Sequence, residues 1–242
     1  MKRIACIGDN CIDYYDATGE RFPGGNPVNV SVYFQRLGTP SSYIGAVGND
    51  EDGRLIIQSL RNKGVDTSHV KVLEGNTAIT HVQRIDGERV FKDSDAGVTS
   101  QLWGYTEPFL PILKKRGIPI AYDASDHLFL PQCREGMKYA DYLFFSDDTA
   151  SEDLLQKQMQ EIAAMGTKAV VAMRGSRGSL AFANGQYKSY GIINCDVVDT
   201  MGAGDSYIAG FLNALLEGAD LAECMRKGAE NAAFTIGYNG AW

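Results

Sequence analysis

The run DTMGAGDSYIAGF, from Asp199 to Phe211, carries the residue types and spacing most suited to chemistry in this sequence. Gly202 and Gly204 stand within three residues, which lets the backbone turn tightly with its amides exposed, and a helical pattern follows at once. The first amides of a helix have no intrahelical partner and the macrodipole is positive there, so the turn suits an anion, phosphate above all. Asp205 sits at the same turn, where a carboxylate would repel that guest. Two readings stay open for it. It accepts the proton of an attacking hydroxyl while the amides hold the transferring phosphoryl, or it caps the helix as aspartate often does.

A second glycine cluster, Pro23-Gly24-Gly25-Asn26-Pro27-Val28-Asn29, enters the first long helical pattern. Its glycines permit close backbone approach, and Asn26 and Asn29 offer both donors and acceptors, a mixture suited to sugar hydroxyls. A tight turn with a helix cap accounts for the same residues. Asp9 and Asp13 flank the end of the first strand and could reach this pocket, or simply be solvated. No G-x-x-x-x-G-K-[ST] occurs, and Tyr207 stands where a dinucleotide fingerprint needs Gly or Ala. The two commonest nucleotide loops of α/β chains are therefore excluded.

The elements that must position these residues alternate along the chain as in a parallel α/β sheet. Strands are expected at Arg3–Gly8, Ser42–Val47, Ile118–Tyr122, Tyr142–Phe145 and Ala169–Met173, with a β-pair at Leu180–Phe182 and Gln186–Tyr190. Helices are expected at Asn26–Leu37, Leu55–Lys63, Pro108–Lys115, Glu152–Ala164, Ser206–Leu216 and Leu221–Ile236. Thr77–Gln83 and Arg89–Lys92 flank Asp86-Gly87, a strong hairpin signal. With strand-like Cys11–Tyr15 and Glu20–Phe22 they make a small sheet standing over the strands' carboxyl ends, where open α/β sheets bind ligands. One helix and one core strand are missing between Gly97 and Pro108, about 20 residues at average element lengths. Either the sheet is one strand smaller or a segment near Leu102-Trp103 has been closed up in the numbering; the second is the expectation.

Size and composition fit one soluble domain: 242 residues, 44% hydrophobic and 22% charged. The net charge of −7 argues against broad nucleic-acid binding. Five scattered cysteines without C-x-x-C spacing and three separated histidines point to reduced thiols and no metal-ligand pattern. Gly8 and Asp9 interrupt the first apolar stretch too early for a signal peptide, and no run approaches the ~20 apolar residues of a membrane span. A cytoplasmic location is expected.

GGNPVNVSVYFQRLG and DTMGAGDSYIAGFL together resemble the two signatures of the PfkB/ribokinase family, and the likeness runs over almost the whole chain. The resemblance implies a ribokinase-like three-layer α/β/α sandwich, with a mainly parallel central sheet and a small β-sheet lid. It implies one kinase domain over residues 1–242, the lid strands (roughly 11–22 and 77–95) being inserted in the core. It further implies an ATP-dependent sugar kinase using Mg2+ and a monovalent cation such as K+, and a homodimer formed through the lid. By resemblance Asp205 is the general base, and the amides of Gly202, Ala203 and Gly204 form the anion hole. Asp13, Gly24, Gly25 and Asn29 match sugar-contacting positions, with Asp9 beside them. Arg174, Gly175 and Gly178 match a nucleotide loop, Asn231 and Gly240 the adenine side, and Asp199 part of a monovalent-cation site built largely from carbonyls. The N-x-x-E element that helps hold Mg2+ in many relatives is here only Ser146-Asp147-Asp148-Thr149. GDNCIDYY, FPGGNPVNVSVY, RVFKDSDAGV and YNGAW resemble the fructoselysine 6-kinase branch. For such a substrate Asp93 or Asp95 would face the substrate's ammonium from the lid, or both are solvated. A kinase for another sugar or nucleoside, and a silent binding protein on this fold, are the alternatives.

Overall fold

The computed structural model describes residues 2–85, 88–98 and 106–242, and within these leaves aside the side chains at 84, 85, 88–90 and 93. The first half contains β1 (Ile4–Ile7), β2 (Cys11–Tyr15), β3 (Glu20–Gly24), α1 (Asn26–Arg36), β4 (Ser41–Ile44), β5 (Ala46–Gly48), α2 (Glu51–Asn62), β6 (Lys71–Leu73), β7 (Ile79–Ile85) and β8 (Glu88–Asp95). The second contains α3 (Leu110–Lys115), β9 (Ala121–Asp123), α4 (Pro131–Met137), β10 (Tyr142–Ser146), α5 (Glu152–Ala163), β11 (Ala169–Met173), β12 (Ser179–Ala183), β13 (Gln186–Tyr190), α6 (Ala203–Glu217) and α7 (Leu221–Thr235).

The side-chain alternation of the central strands explains the layers. In β10, Leu143 and Phe145 point to one face and pack with Leu155, Met159 and Ile162 of α5 and Cys133 and Met137 of α4. Phe144 points to the other face and packs with Tyr207 and Phe211 of α6 and Met225 of α7. A strand buried on both faces reads as a continuous apolar run, which is why YLFF and AVVAM are recognisable in the sequence. β9, β10 and β11 are parallel, and β12 and β13 continue the sheet antiparallel. The three-layer α/β/α arrangement holds.

Several boundaries differ from expectation. The strand expected at Ser42–Val47 is two, β4 and β5, which break at Gly45 and pair with β1 and β6 respectively. Helix α2 starts at Glu51 because Asp50 caps it, accepting from the Gly53 amide at 2.8 Å. Strand β9 begins at Ala121 instead of Ile118, and α4 has no counterpart in the sequence reading. Helix α6 begins at Ala203, three residues before its expected start.

The lid is a four-stranded sheet in the order β3-β2-β7-β8, close to the span expected from the hairpin signal. Its turn at 86–87 lies outside the described residues.

The junction at Leu102-Trp103 also lies outside them, but its flanks do not. Among the described residues β1 pairs only with β4, and β9 only with β10. Cys6 is buried against Tyr33 and Phe34 of α1, whereas Ala5 and Ile7, on the opposite face of β1, are exposed. The 242 residues are numbered consecutively through this junction.

Candidate active site

Gly202 occupies the N-cap of α6 with φ 72°, a left-handed conformation that favours glycine. A Cβ there would also collide with the Tyr33 hydroxyl. Gly204 differs. A Cβ on it would meet nothing closer than Met173 Cε at 3.6 Å, so protein packing does not demand glycine at this position. Its bare face leaves room for a ligand against the backbone. Asp205, third residue of α6, is buried, and its Oδ2 accepts from Asn29 Nδ2 at 2.8 Å. The cap position thus belongs to Gly202.

Asn29 and Asn26 lie one turn apart on the same face of α1. Asn26 Nδ2 donates to Asp123 Oδ2 at 2.8 Å, and the Ser125 amide donates to Asp123 Oδ1 at 2.9 Å. Asp123, at the carboxyl end of β9, was not among the residues expected from sequence. Its signal was the apolar run IPIAY ending in a carboxylate, as the first strand ends before Asp9. Burial pushes the Asp9 carboxyl up to about 7, with the charges of Asp123 and Asp13 adding to the effect. Burial likewise raises Asp123 to about 6, opposed by its bonds from Ser125 and Asn26. Asp13 is buried in β2, and a Cβ on Gly24 would strike its carboxylate. Gly25, at φ 104°, brings its backbone against Asn10, where a Cβ would lie 2.8 Å from Cα. The structure therefore gathers Asp9, Asp13, Gly24, Gly25 and Asn29 at one place and adds Asn26 and Asp123.

Arg174 to Gly178 forms a single tight turn after β11, whose last residue, Met173, lies beside Gly204. Gly175 and Gly178 have φ 54° and 77°, and the Arg174 amide donates to Gly178 O at 2.8 Å. The Arg174 guanidinium donates to the carbonyls of Arg177 and Ser179, while its buried Nε finds no acceptor among the described residues.

Asn231 and Gly240, which the resemblance sets on the adenine side, make hydrogen bonds within the protein. Asn231 Nδ2 donates to Ser206 O at 2.7 Å, and its Oδ1 accepts from Arg36 at 2.7 Å. Gly240 N donates to Asp199 Oδ2 at 2.9 Å. Asp199 also accepts from Tyr15 Oη at 2.8 Å and from Met201 N at 3.0 Å. It ties lid, anion turn and C-terminal segment together. Among the described residues no group of three or more His, Cys, Asp or Glu is placed to hold a metal. Asp147, in the Ser146–Thr149 segment, spends Oδ1 on the amides of Thr149 and Ala150. The Asp93 side chain lies outside the description, and Asp95 is 72% exposed, 3.6 Å from His81 Nε2.

The family model described as "pfkB family carbohydrate kinase" matches residues 1–103 and 105–242. The chain belongs to the pfkB family of carbohydrate kinases. This kinase is 38% identical over 262 aligned residues to the fructoselysine 6-kinase of Shigella flexneri, covering all of both chains. It is 33% identical to a fructosamine kinase of Bacillus subtilis, covering all of this chain and 93% of that one. An Arabidopsis thaliana ribokinase structure, complexed with ribose and ATP, superposes with a TM-score of 0.86 at 23% identity, covering 99% of this chain and 93% of that one. The 262 aligned positions against 242 residues mean that at least 20 positions face no residue here. The family match breaks at 104, where the sequence rhythm misses a helix and a strand.

Proposed function

We propose that this kinase transfers the γ-phosphoryl group of ATP to the 6-hydroxyl of fructoselysine, with Asp205 as general base. The observation that carries the reading is the buried Asp205 carboxylate in the first turn of α6, bonded to Asn29 and directly following Gly204, whose Cα has room beside it for a ligand. The amides of that turn hold the phosphoryl group while Asp205 takes the proton of the hydroxyl. The Arg174–Gly178 turn, with Gly175 and Gly178 at positive φ, supplies the nucleotide's side of the cleft. Mg2+, when bound, neutralises charge on the β- and γ-phosphates. With no three-ligand cluster in the described residues, phosphate oxygens and water would supply most of its coordination.

Likeness to fructoselysine and fructosamine kinases supports the substrate, and the carboxylates give it a chemical basis. Fructoselysine carries a secondary ammonium next to the sugar. Asp9, Asp13 and Asp123 gather on the sugar side, and burial raises Asp9 and Asp123 to a range where a bound cation would favour their ionised forms. These residues are candidates for the ammonium beside Asp93 and Asp95, and the Asp93 side chain lies outside the described residues. A homodimer through the lid fits the exposed Phe91 on edge strand β8. Release of ADP with ATP and either fructoselysine or fructose tests the proposal. A kcat/KM at least about tenfold higher for fructoselysine is expected from one desolvated charged hydrogen bond. Equal use of both sugars removes the fructoselysine reading, and turnover of neither leaves a kinase for another sugar or nucleoside, or a binding protein on this fold.

A further inference from the structure

Trp242 Nε1 donates to Asn29 Oδ1 at 2.8 Å, while Asn29 Nδ2 donates to Asp205 Oδ2 at 2.8 Å. Indole N–H is a donor only and an ionised carboxylate an acceptor only, whereas a side-chain amide has one end of each kind. One orientation of the Asn29 amide satisfies both neighbours, and its reverse faces donor with donor and acceptor with acceptor. The indole is itself held in place. Its neighbour Ala241 is buried, and the Ala241 carbonyl accepts from Tyr33 Oη at 2.5 Å and Tyr238 Oη at 3.1 Å. Gly240 is fastened to Asp199. The ring packs against the clusters containing Val32, Phe34 and Met201, and the Lys63 ammonium lies 5.8 Å from its centroid.

We propose that Trp242 is a positioning residue for phosphoryl transfer, fixing through Asn29 the direction in which the Asp205 carboxylate faces the substrate hydroxyl. This rests on the reading of Asp205 as base. The coupling runs from the C-terminal segment through α1 to the first turn of α6. The indole is joined to Asp205 through the Asn29 amide. Loss of the N–H leaves the Asn29 amide held at one end only, so the carboxylate samples directions unsuited to the proton transfer, while ATP binding is untouched.

The test is Trp242→Phe, which keeps an aromatic ring and removes the donor. If that variant is unstable, 3-benzothienylalanine at position 242 preserves the bicyclic shape without the N–H. Expected is a kcat lower by about three- to tenfold, the usual worth of one neutral hydrogen bond, with KM for ATP within about twofold. In the Asn29→Ala background the same change at 242 should have no further effect, because the link is already cut. A wild-type kcat in either indole-free protein overturns the proposal. So does an equal loss in the Asn29→Ala background, which would mean that the ring acts by packing alone. Asp205→Asn, measured alongside, separates the two ideas: if it stays active the base reading fails, and if it is inactive while Trp242→Phe is normal only the positioning role fails.

Discussion

The nucleotide side and the sugar side of this kinase are built in opposite ways. On the nucleotide side, β9 to β13 form one continuous five-stranded sheet, and β10 and β11 are packed on both faces. The anion turn comes from one stretch of chain, fastened by Asp199 to the lid and to Gly240. On the sugar side, the polar residues come from the ends of β1, β2, α1 and β9, and nothing among the described residues pairs β1 with β9. Phosphate chemistry common to a whole family can rest on one local turn. Substrate choice depends on how separate strand ends are held apart, and among the described residues no strand joins two of them, β1 and β9.

The largest expected effect lies within the turn. Gly204→Val should lower turnover at least about a hundredfold, the usual cost of losing an oxyanion-type donor. Its thermal midpoint should stay near wild type, since the added Cβ meets only Met173, at ordinary van der Waals distance. Gly202→Val should instead lose the fold, because φ 72° and the Tyr33 hydroxyl both oppose a side chain. Normal turnover by Gly204→Val would reduce the turn to a helix start.

On the sugar side, Asp123→Asn and Asp9→Asn should lower the preference for fructoselysine over fructose by about ten- to a hundredfold, the range for a desolvated charged hydrogen bond. Their raised carboxyls carry a sign. Above their ionisation range the groups are charged and attract the ammonium, and below it they are neutral. The ratio of kcat/KM for the two sugars should therefore climb as pH rises through about 6 and then about 7. A flat ratio would take these carboxylates out of specificity.

Stability sharpens the same contrast. Phe144→Ala, in the doubly covered strand, should cost about 3–5 kcal/mol. Ile7→Ala, on the uncovered face of β1 and 43% exposed, should cost less than about 1 kcal/mol by denaturant unfolding. Equal costs would mean that β1 is covered after all. A smaller effect concerns the lid, where Asp16 holds His81 above its ordinary pKa through a 2.7 Å contact. The stabilisation is fully present below the ordinary histidine value of ~6.5 and is lost as pH rises through the raised value. Replacing Asp16 with Asn should flatten lid protection from hydrogen exchange across that window.

How much of this was legible from sequence depends on whether a residue acts through its neighbours in the chain. Gly202, Gly204 and Asp205 could be read because turn, helix start and carboxylate are contiguous. YLFF and AVVAM could be read because strands buried on both faces leave no polar interruption. Asp123 was missed because a carboxylate at a strand end looks solvated until Asn26, 97 residues away in sequence, bonds to it. Asn231 and Gly240 were placed by resemblance, and their side-chain and backbone bonds turn inward to Ser206, Arg36 and Asp199. The gap between Gly97 and Pro108 was visible as a break in rhythm, while the exposure of Ala5 and Ile7 among the described residues is a tertiary fact.

The most direct test of the account is single-turnover phosphoryl transfer by Asp205→Asn, at saturating ATP and fructoselysine. Asparagine keeps the size of the side chain but cannot accept the proton. The account predicts a rate lower by about 10²–10⁴-fold, with ATP affinity and thermal midpoint close to wild type. A variant that retains more than about a tenth of the wild-type rate would contradict it.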